Sequence, residues 1–226
     1  MTHCKLEIAC FNADSAVIAE LGGADRIELC DNMTEGGTTP TIETILEVRD
    51  NSKLELYIMV RPRGGDFLYS AEEFTEMENT ISYLKNTGIN GFVFGVLHSD
   101  KTVDTLRNKE LVELAKPLPC TFHRAFDQVS DPLAALEEVI TCGFHNILTS
   151  GNYPTAIEGI DDLERLIEKA AGRITIIPGG GVRSGNIRTL KEKLNTSFFH
   201  SSAMTAHTGF AELQEVRALK QQLNAS

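Results

Sequence analysis

Short runs rich in β-branched and aromatic residues alternate along the chain with stretches in which apolar residues recur every three or four positions. The runs predict eight strands, at 6–10, 26–30, 54–61, 91–97, 120–126, 146–150, 174–178 and 198–202. The stretches between them predict helices at 16–21, 42–48, 74–84, 103–115, 133–140, 163–170, 187–194 and 210–219. This order indicates an α/β fold with a parallel sheet.

Glycine and proline mark the boundaries of the predicted elements. Gly23, Gly88 and Gly143 each precede a strand by a few residues and suit the left-handed C-terminal cap of a helix. Asp131 and Pro132 are typical of a helix start, with an N-cap followed by proline at the first helical position. No long polar linker interrupts the alternation, so we expect one domain over residues 1–226.

Eight βα units predict a TIM-like (β/α)8 barrel, and a doubly wound open sheet is the alternative. The first strand is followed by Phe11-Asn-Ala-Asp, without the glycines that let a pyrophosphate approach the backbone. We therefore expect no nucleotide cofactor.

The net charge of −11 over 226 residues repels phosphate backbones and anionic lipids, so we expect neither a nucleic acid nor a membrane as partner. No apolar run is long enough for a membrane span or a secretion signal, which favours a cytoplasmic protein. The five cysteines are widely spaced and include no C-x-x-C pair, so they are interpreted as reduced thiols.

Side-chain alternation in the first three strands predicts which residues face the barrel interior. If Leu6, Ile8, Ile27 and Leu29 pack against the helices, then Glu7, Ala9, Glu28 and Cys30 face inward, and the same argument turns Arg61 inward. Two readings stay open for the carboxylates. They form either an internal ion-pair network or one wall of a ligand pocket.

Barrel enzymes carry their chemistry at the C-terminal ends of the strands, where this chain has many polar residues. Arg61 and Arg63, with Asp66, suit the binding of a carboxylate or phosphate; alternatively, Arg61 neutralises Glu28 and Arg63 is solvated. His123 and Asp127, next to Arg124, are candidates for acid–base catalysis or metal binding, although a lone strand histidine is often only a hydrogen-bonded core residue. The remaining candidates for ligand binding are Asp31, Ser150, Gly179, Gly180, Gly181, His200, Ser201 and Ser202.

Gly179 to Gly181 and His200 to Ser202 follow the seventh and eighth predicted strands. In many barrels the loops at these positions hold a phosphate through backbone N–H groups. A tight turn that serves packing alone is the alternative.

Seven motifs resemble the CutC copper homeostasis family, over nearly the whole chain. They are GGADRIELCDN at 22–32, EGGTTP at 35–40, RPRGGDF at 61–67, FGVL at 94–97, TFHRAFD at 121–127, ILTSG at 147–151 and GGGV at 179–182. The resemblance implies a cytoplasmic TIM-like barrel, commonly a homodimer, with a role in copper tolerance and Cu(I) handling.

Cys30 and Cys10 are the candidate metal ligands, because Cu(I) prefers thiolates and thioethers. Cys30 has the family's position, whereas Ala9 stands where the first strand of the family often has its cysteine. Alternation turns Cys10 toward the helices unless a bulge rotates it, which weakens a Cys10–Cys30 copper clamp. Met59 is interpreted as a packing residue.

Three functions follow from these patterns. The first is a Cu(I)-binding protein of copper homeostasis. The second is a barrel enzyme of the lyase, isomerase or hydrolase type, acting on a small anionic or phosphorylated substrate, with Glu28, His123 and Asp127 as candidate catalytic residues. The third is a dimeric scaffold without catalysis.

Overall fold

The computed structural model describes residues 4–205 and 209–225. Eight strands are formed in these residues: β1 (Lys5–Cys10), β2 (Arg26–Leu29), β3 (Glu55–Met59), β4 (Gly91–Phe94), β5 (Cys120–Phe122), β6 (Asn146–Thr149), β7 (Thr175–Pro178) and β8 (Phe198–Ser201). They alternate with α1 (Ala13–Gly22), α2 (Ile42–Asn51), α3 (Ala71–Leu84), α4 (Thr105–Ala115), α5 (Pro132–Cys142), α6 (Ile160–Ala170), α7 (Ile187–Lys193) and α8 (Leu213–Asn224). Two 3-10 helices lie at Met33–Glu35 and Arg124–Gln128.

The strands form a parallel sheet in which each strand pairs with its neighbours in sequence and β8 returns to pair with β1. Strands β7 and β8 face each other across the seam, where Thr196 Oγ1 donates a hydrogen bond of 2.6 Å to the carbonyl of Ile176. The result is a nearly closed TIM-like barrel, which confirms the first prediction over the open doubly wound sheet.

The punctuation residues act mostly as expected. Gly23 and Gly143 have φ angles of 88° and 92° and cap α1 and α5, while the Asp131 side chain accepts hydrogen bonds from the first turn of α5. Gly88 also has a positive φ, but α3 ends earlier, with Lys85 as its C-cap. Strand β5 is shorter than predicted because His123 caps the 3-10 helix that follows it.

Alternation along the strands separates two apolar cores. The larger one, between the strands and the helices, contains Leu6, Ile8 and Cys10. A smaller cluster inside the barrel consists of Cys30, Tyr57, Met59 and Val93, with the partly buried Phe11 packed against it. The predicted orientations of the first two strands are therefore confirmed, and the two candidate copper ligands lie in different cores.

No helix within residues 4–205 and 209–225 is both long and apolar enough to cross a membrane.

Candidate functional site

A pocket of about 240 Å³ opens at the C-terminal ends of the strands. Its polar lining comes from opposite sides of the barrel and includes Glu28, Cys30, Arg61, His123, Arg124, Arg183, His200, Ser201 and Ser202. This volume suits a small molecule, since drug-sized ligands commonly occupy about 300–1,000 Å³.

Glu7 and Arg26 form a buried ion pair beneath the pocket. The guanidinium of Arg26 lies between the rings of Tyr57 and Phe198, 4.2 and 4.1 Å from their centroids. Burial alone would raise the pKa of Glu7, but Arg26 and His200 lower it to about 2. Glu7 is therefore ionised and fully paired, as in the ion-pair reading of the sequence.

Glu28 lies directly above this pair and is only 3% exposed. Its Oε2 atom is 3.7 Å from His200 Nε2, while its Oε1 atom is buried and has no hydrogen-bond partner within the described chain. Burial, followed by repulsion from Glu7, raises the pKa of Glu28 to about 7 against the attraction of His200. A carboxyl group with this pKa exchanges protons readily at neutral pH.

His200 connects the two carboxylates. Its Nδ1 atom is 2.7 Å from Glu7 Oε1, and its register opposite Glu7 in the β1–β8 ladder fixes this contact. Burial opposes protonation, yet Glu28 and Glu7 raise the pKa of His200 above its ordinary value. His200 therefore lies between Glu7 and Glu28, and both carboxylates favour its protonated form.

His123 lies in the pocket wall, and its pKa is shifted in the opposite direction from that of His200. Burial and the nearby Arg61 lower the pKa of His123 to about 3, so its ring is neutral. Its Nδ1 atom accepts a hydrogen bond of 3.3 Å from the Ala125 N–H, which leaves the ring proton on Nε2. The Phe67 ring, 4.7 Å away between centroids, fixes the plane of the imidazole.

Arg61 is buried in the wall but binds the protein itself. Its guanidinium donates to the carbonyls of Glu35, Gly37 and Gly65 at 2.7, 2.8 and 2.9 Å. The alternative in which Arg61 neutralises Glu28 is therefore wrong, because the Arg61 guanidinium binds loop carbonyls instead.

Arg63, Asp66 and Asp31 lie outside the pocket lining. Arg63 pairs with Glu73 at 2.5 Å and with Asp66 at 3.0 Å. Asp31 exchanges backbone hydrogen bonds with Thr38 and accepts one from the N–H of Asn32. The structure thus separates these three predicted ligand-binding residues from the other candidates.

Asp127 orients Arg124 and makes no contact with His123. The two side chains form an ion pair of 2.7 Å, and a second Arg124 nitrogen donates to Ser150 Oγ at 2.9 Å. The other Asp127 oxygen accepts the Ser150 N–H at 2.9 Å. Asp127 and Ser150 therefore position a guanidinium that lines the pocket, and the proposed His123–Asp127 pair does not form.

The loops after β7 and β8, together with Arg124 after β5, form a cationic recess, which we define by Gly180, Gly181, Arg124, Arg183 and Ser202. The two glycines have φ angles of 98° and 67°, a region that disfavours other residues. A Cβ atom on Gly180 would lie 3.2 Å from the Arg124 guanidinium. Along the described chain, the N–H groups of both glycines donate to no protein acceptor.

Arg183 completes this recess and was missed by the sequence analysis. Its two terminal nitrogens donate to Ser201 Oγ at 3.3 Å and Ser202 Oγ at 3.1 Å. Arg26 was missed as well. Arg26 shares the inward parity of Glu28, and Arg183 lies two residues after Gly181, so an extension of the same alternation and strand-end rules would have found both.

The donors for copper are few. The Cys30 sulfur and the Met59 methyl group lie 3.3 and 3.6 Å from the position of a Cβ on Gly37, so both flank one point of the wall. Burial and Glu28 raise the pKa of Cys30 well above its ordinary value, which keeps the group a thiol. The Cys10 sulfur lies 3.6 Å from the carbonyl of Ile8, outside the lining. The described residues contain no group of three or more His, Cys, Asp or Glu suited to a metal ion.

Comparisons with known proteins agree with the fold. The model of the CutC family matches residues 4–205. The human copper homeostasis protein cutC homolog is 46% identical over 198 residues, which cover 88% of this chain and 72% of the human protein. A family protein CutC from Chromobacterium violaceum is 46% identical over 198 residues, covering 88% of this chain and 80% of its own length.

A crystal structure from Streptococcus agalactiae that carries the name CutC has a TM-score of 0.83 and 30% identity, and the match covers 88% of this chain and 98% of that one. Both the family model and the relatives span most of the chain. The protein belongs to the CutC family.

Proposed function

We propose that this protein is a barrel enzyme that binds a small anionic or phosphorylated substrate in the cationic recess and uses Glu28 for proton transfer. The observation that carries the proposal is the juxtaposition, in one pocket, of the recess with a buried carboxyl group that has a free oxygen. The chain has a net charge of −11, so an anion needs such a local concentration of cationic donors.

The partners of the recess arginines support anion binding. Within residues 4–205 and 209–225, the hydrogen-bond partners of the Arg183 guanidinium are neutral oxygens, those of Ser201, Ser202 and Val182. Arg124 shares its charge with Asp127 and directs its terminal nitrogens toward Ser150 and Gly180. Two guanidinium groups and two free glycine N–H groups match the several oxygens of a phosphate.

Thermal unfolding in the presence of inorganic phosphate tests this proposal. The Tm of the wild type should be higher in phosphate than in chloride of equal ionic strength, since a ligand that binds only the folded state stabilises it. Arg183→Ala should lose this gain. Arg188→Ala is the matched control, because Arg188 is an exposed arginine paired with Glu192 on α7. An equal gain in Arg183→Ala would refute the proposed recess.

A second candidate function is Cu(I) binding in copper homeostasis. It is favoured by the names of the human and Streptococcus agalactiae relatives and by the position of the Cys30 thiol beside Met59 in the pocket. Thiolate and thioether are ligands that Cu(I) prefers, and copper would have to displace the Cys30 proton. Copper would then be a cargo held by Cys30 and Met59.

An anaerobic Cu(I) titration against a chromogenic chelator tests this second function. Wild-type protein should withdraw copper from the chelator and Cys30→Ser should not. Cys142→Ser serves as the control, because Cys142 is a buried thiol of the larger core between the strands and the helices, where it donates to the carbonyl of Thr105. Failure of the wild type to compete would exclude the copper function.

We also propose a cytoplasmic homodimer. The five cysteines are free thiols, as a reducing compartment favours. Helices α1 and α2 expose Val17, Leu21, Ile42 and Leu46, which is consistent with an interface between two copies. Light scattering should give the mass of a dimer, and Leu21→Glu should give a monomer.

A further inference from the structure

Three buried polar atoms in the pocket wall have no partner in the part of the chain that the structure describes. They are Glu28 Oε1, His123 Nε2 and Arg61 Nε. Buried polar groups in folded proteins are nearly always hydrogen-bonded, so such atoms mark a place where a ligand supplies the missing partners. The three atoms differ in chemistry, which restricts the ligand.

His123 Nε2 is a hydrogen-bond donor. The imidazole is neutral, and its Nδ1 atom already accepts the Ala125 N–H, so the proton on Nε2 points to an acceptor that the protein does not provide. A neutral imidazole donor is suited to a carbonyl oxygen, on which negative charge develops during reaction.

Glu28 Oε1 is the matching acceptor. Its companion oxygen faces His200, which keeps the carboxyl group oriented, and His200 is itself occupied by Glu7. Among the carboxylates near the pocket, Glu7 is paired with Arg26 and Asp127 with Arg124. Glu28 is therefore the carboxyl group with an oxygen free to take a proton from a substrate.

We propose that the pocket enolises a small phosphorylated aldehyde or ketone, with Glu28 as the base and His123 as the donor to the carbonyl oxygen. This inference rests on the proposed function, because the cationic recess holds the phosphate end of the same molecule.

The step balances without a further reagent. The C–H bond next to the carbonyl breaks and its proton passes to Glu28 Oε1. The electron pair of that bond forms a C=C double bond, and the former carbonyl oxygen becomes an enolate that the His123 N–H stabilises. Return of a proton from Glu28 to the same carbon restores the carbonyl compound, so each cycle exchanges that hydrogen with solvent.

The size of the pocket suits a substrate of a few carbon atoms. A volume of about 240 Å³ admits a phosphate with a short carbonyl chain. Arg61 Nε, on the same wall as His123, is a further donor for a hydroxyl or carbonyl oxygen of such a chain.

Proton exchange with solvent tests the inference directly. The protein is incubated in D2O with acetol phosphate or glycolaldehyde phosphate, and proton NMR follows the loss of the C–H signal next to the carbonyl. The wild type should exchange this proton. Glu28→Gln should be slower by about 10²–10⁴-fold, the usual contribution of a catalytic base. His123→Phe, which keeps the ring packing against Phe67 but has no donor, should also slow the exchange.

Two controls make the result decisive. Arg188→Ala is purified independently and should exchange at the wild-type rate. A contaminating isomerase confined to the wild-type preparation would not reproduce that rate. Glu28→Asp keeps a carboxylate and should retain part of the rate, so it decides the matter if Glu28→Gln does not fold. Equal rates in wild type and the folded Glu28 variants, or no exchange of either compound, would overturn the inference.

The anion-binding test separates the two levels of failure. If phosphate stabilises the wild type and Glu28→Gln but no exchange occurs, the enolisation chemistry is wrong and the anion site stands. If phosphate stabilises neither, the proposed function itself is wrong.

Discussion

Two pairs of arginines lie at the ends of the strands, and their partners give them different roles. Arg61 and Arg63, after β3, are bound by loop carbonyls and by the carboxylates of Glu73 and Asp66. Arg124 and Arg183, which line the pocket next to β5 and β7, contact hydroxyl groups and one carboxylate. A conspicuous sequence motif therefore marks the pair whose terminal guanidinium nitrogens hold a loop, while the less conspicuous pair forms the cationic recess.

The largest effect on stability should come from a third arginine, Arg26, whose role is to pair with the buried Glu7. Arg26→Met leaves the ionised Glu7 buried without its guanidinium, and breaking a buried pair in this way costs about 3–5 kcal/mol. We expect a corresponding loss in the free energy of unfolding, measured by urea denaturation. A loss below about 1 kcal/mol, the range of exposed pairs, would contradict the buried pair.

Arg61→Ala should be the next most damaging change. Removal of the guanidinium leaves the carbonyls of Glu35, Gly37 and Gly65 without their donor, at a cost of about 2–3 kcal/mol. The phosphate-induced rise in Tm should survive, because Arg61 is not part of the cationic recess. Loss of the phosphate effect at unchanged stability would reverse the roles assigned to the two pairs.

His123 should make stability depend on pH. Its pKa is about 3 in the folded protein and 6.5 in the unfolded chain, so below pH 6.5 only the unfolded chain takes up this proton. The stabilisation of the folded protein by a neutral His123 is complete above pH 6.5. It is lost as the pH falls toward 3, by up to about 1.4 kcal/mol per pH unit.

Glu28 acts in the opposite direction over part of this range, since its pKa of about 7 lets the folded protein bind a proton first. The measurement is therefore the difference between wild type and His123→Phe in the free energy of unfolding, from pH 7 to pH 4.5. The advantage of the variant should grow as the pH falls. A constant difference would show that His123 is not held neutral.

Arg63→Ala should have the smallest effect. Its side chain is 38% exposed, and ion pairs of exposed groups are worth about 0–1 kcal/mol. Thermal unfolding should show a change within that range and an unaltered response to phosphate. A lost phosphate response would place the anion at the Arg61–Arg63 loop.

The sequence was sufficient for the parts of the molecule that periodicity controls. Alternation in β1 and β2 placed Glu7, Glu28 and Cys30 inside the barrel and Cys10 outside it, because a one-residue change would bury a carboxylate among the helices. The order of strands and helices indicated the barrel, and Gly23, Gly143 and Asp131 marked helix ends through their backbone preferences.

Side-chain partners could not be predicted in the same way. An arginine that follows a strand can turn toward the pocket or back onto its own loop, and the choice between them depends on tertiary contacts such as those of Arg61 with Glu35 and Arg124 with Asp127. The protonation of His123 and Glu28 likewise follows from burial and from neighbours distant in sequence.

A crystal structure of the protein soaked with tungstate, an anion with the shape of phosphate and a strong anomalous signal, would locate the anion site directly. We expect the tungsten peak in the cationic recess, with its oxygens within hydrogen-bond distance of the Gly181 N–H and Arg183. A peak at Arg63, or none in the pocket, would contradict the claim that the loops after β7 and β8 form the anion site.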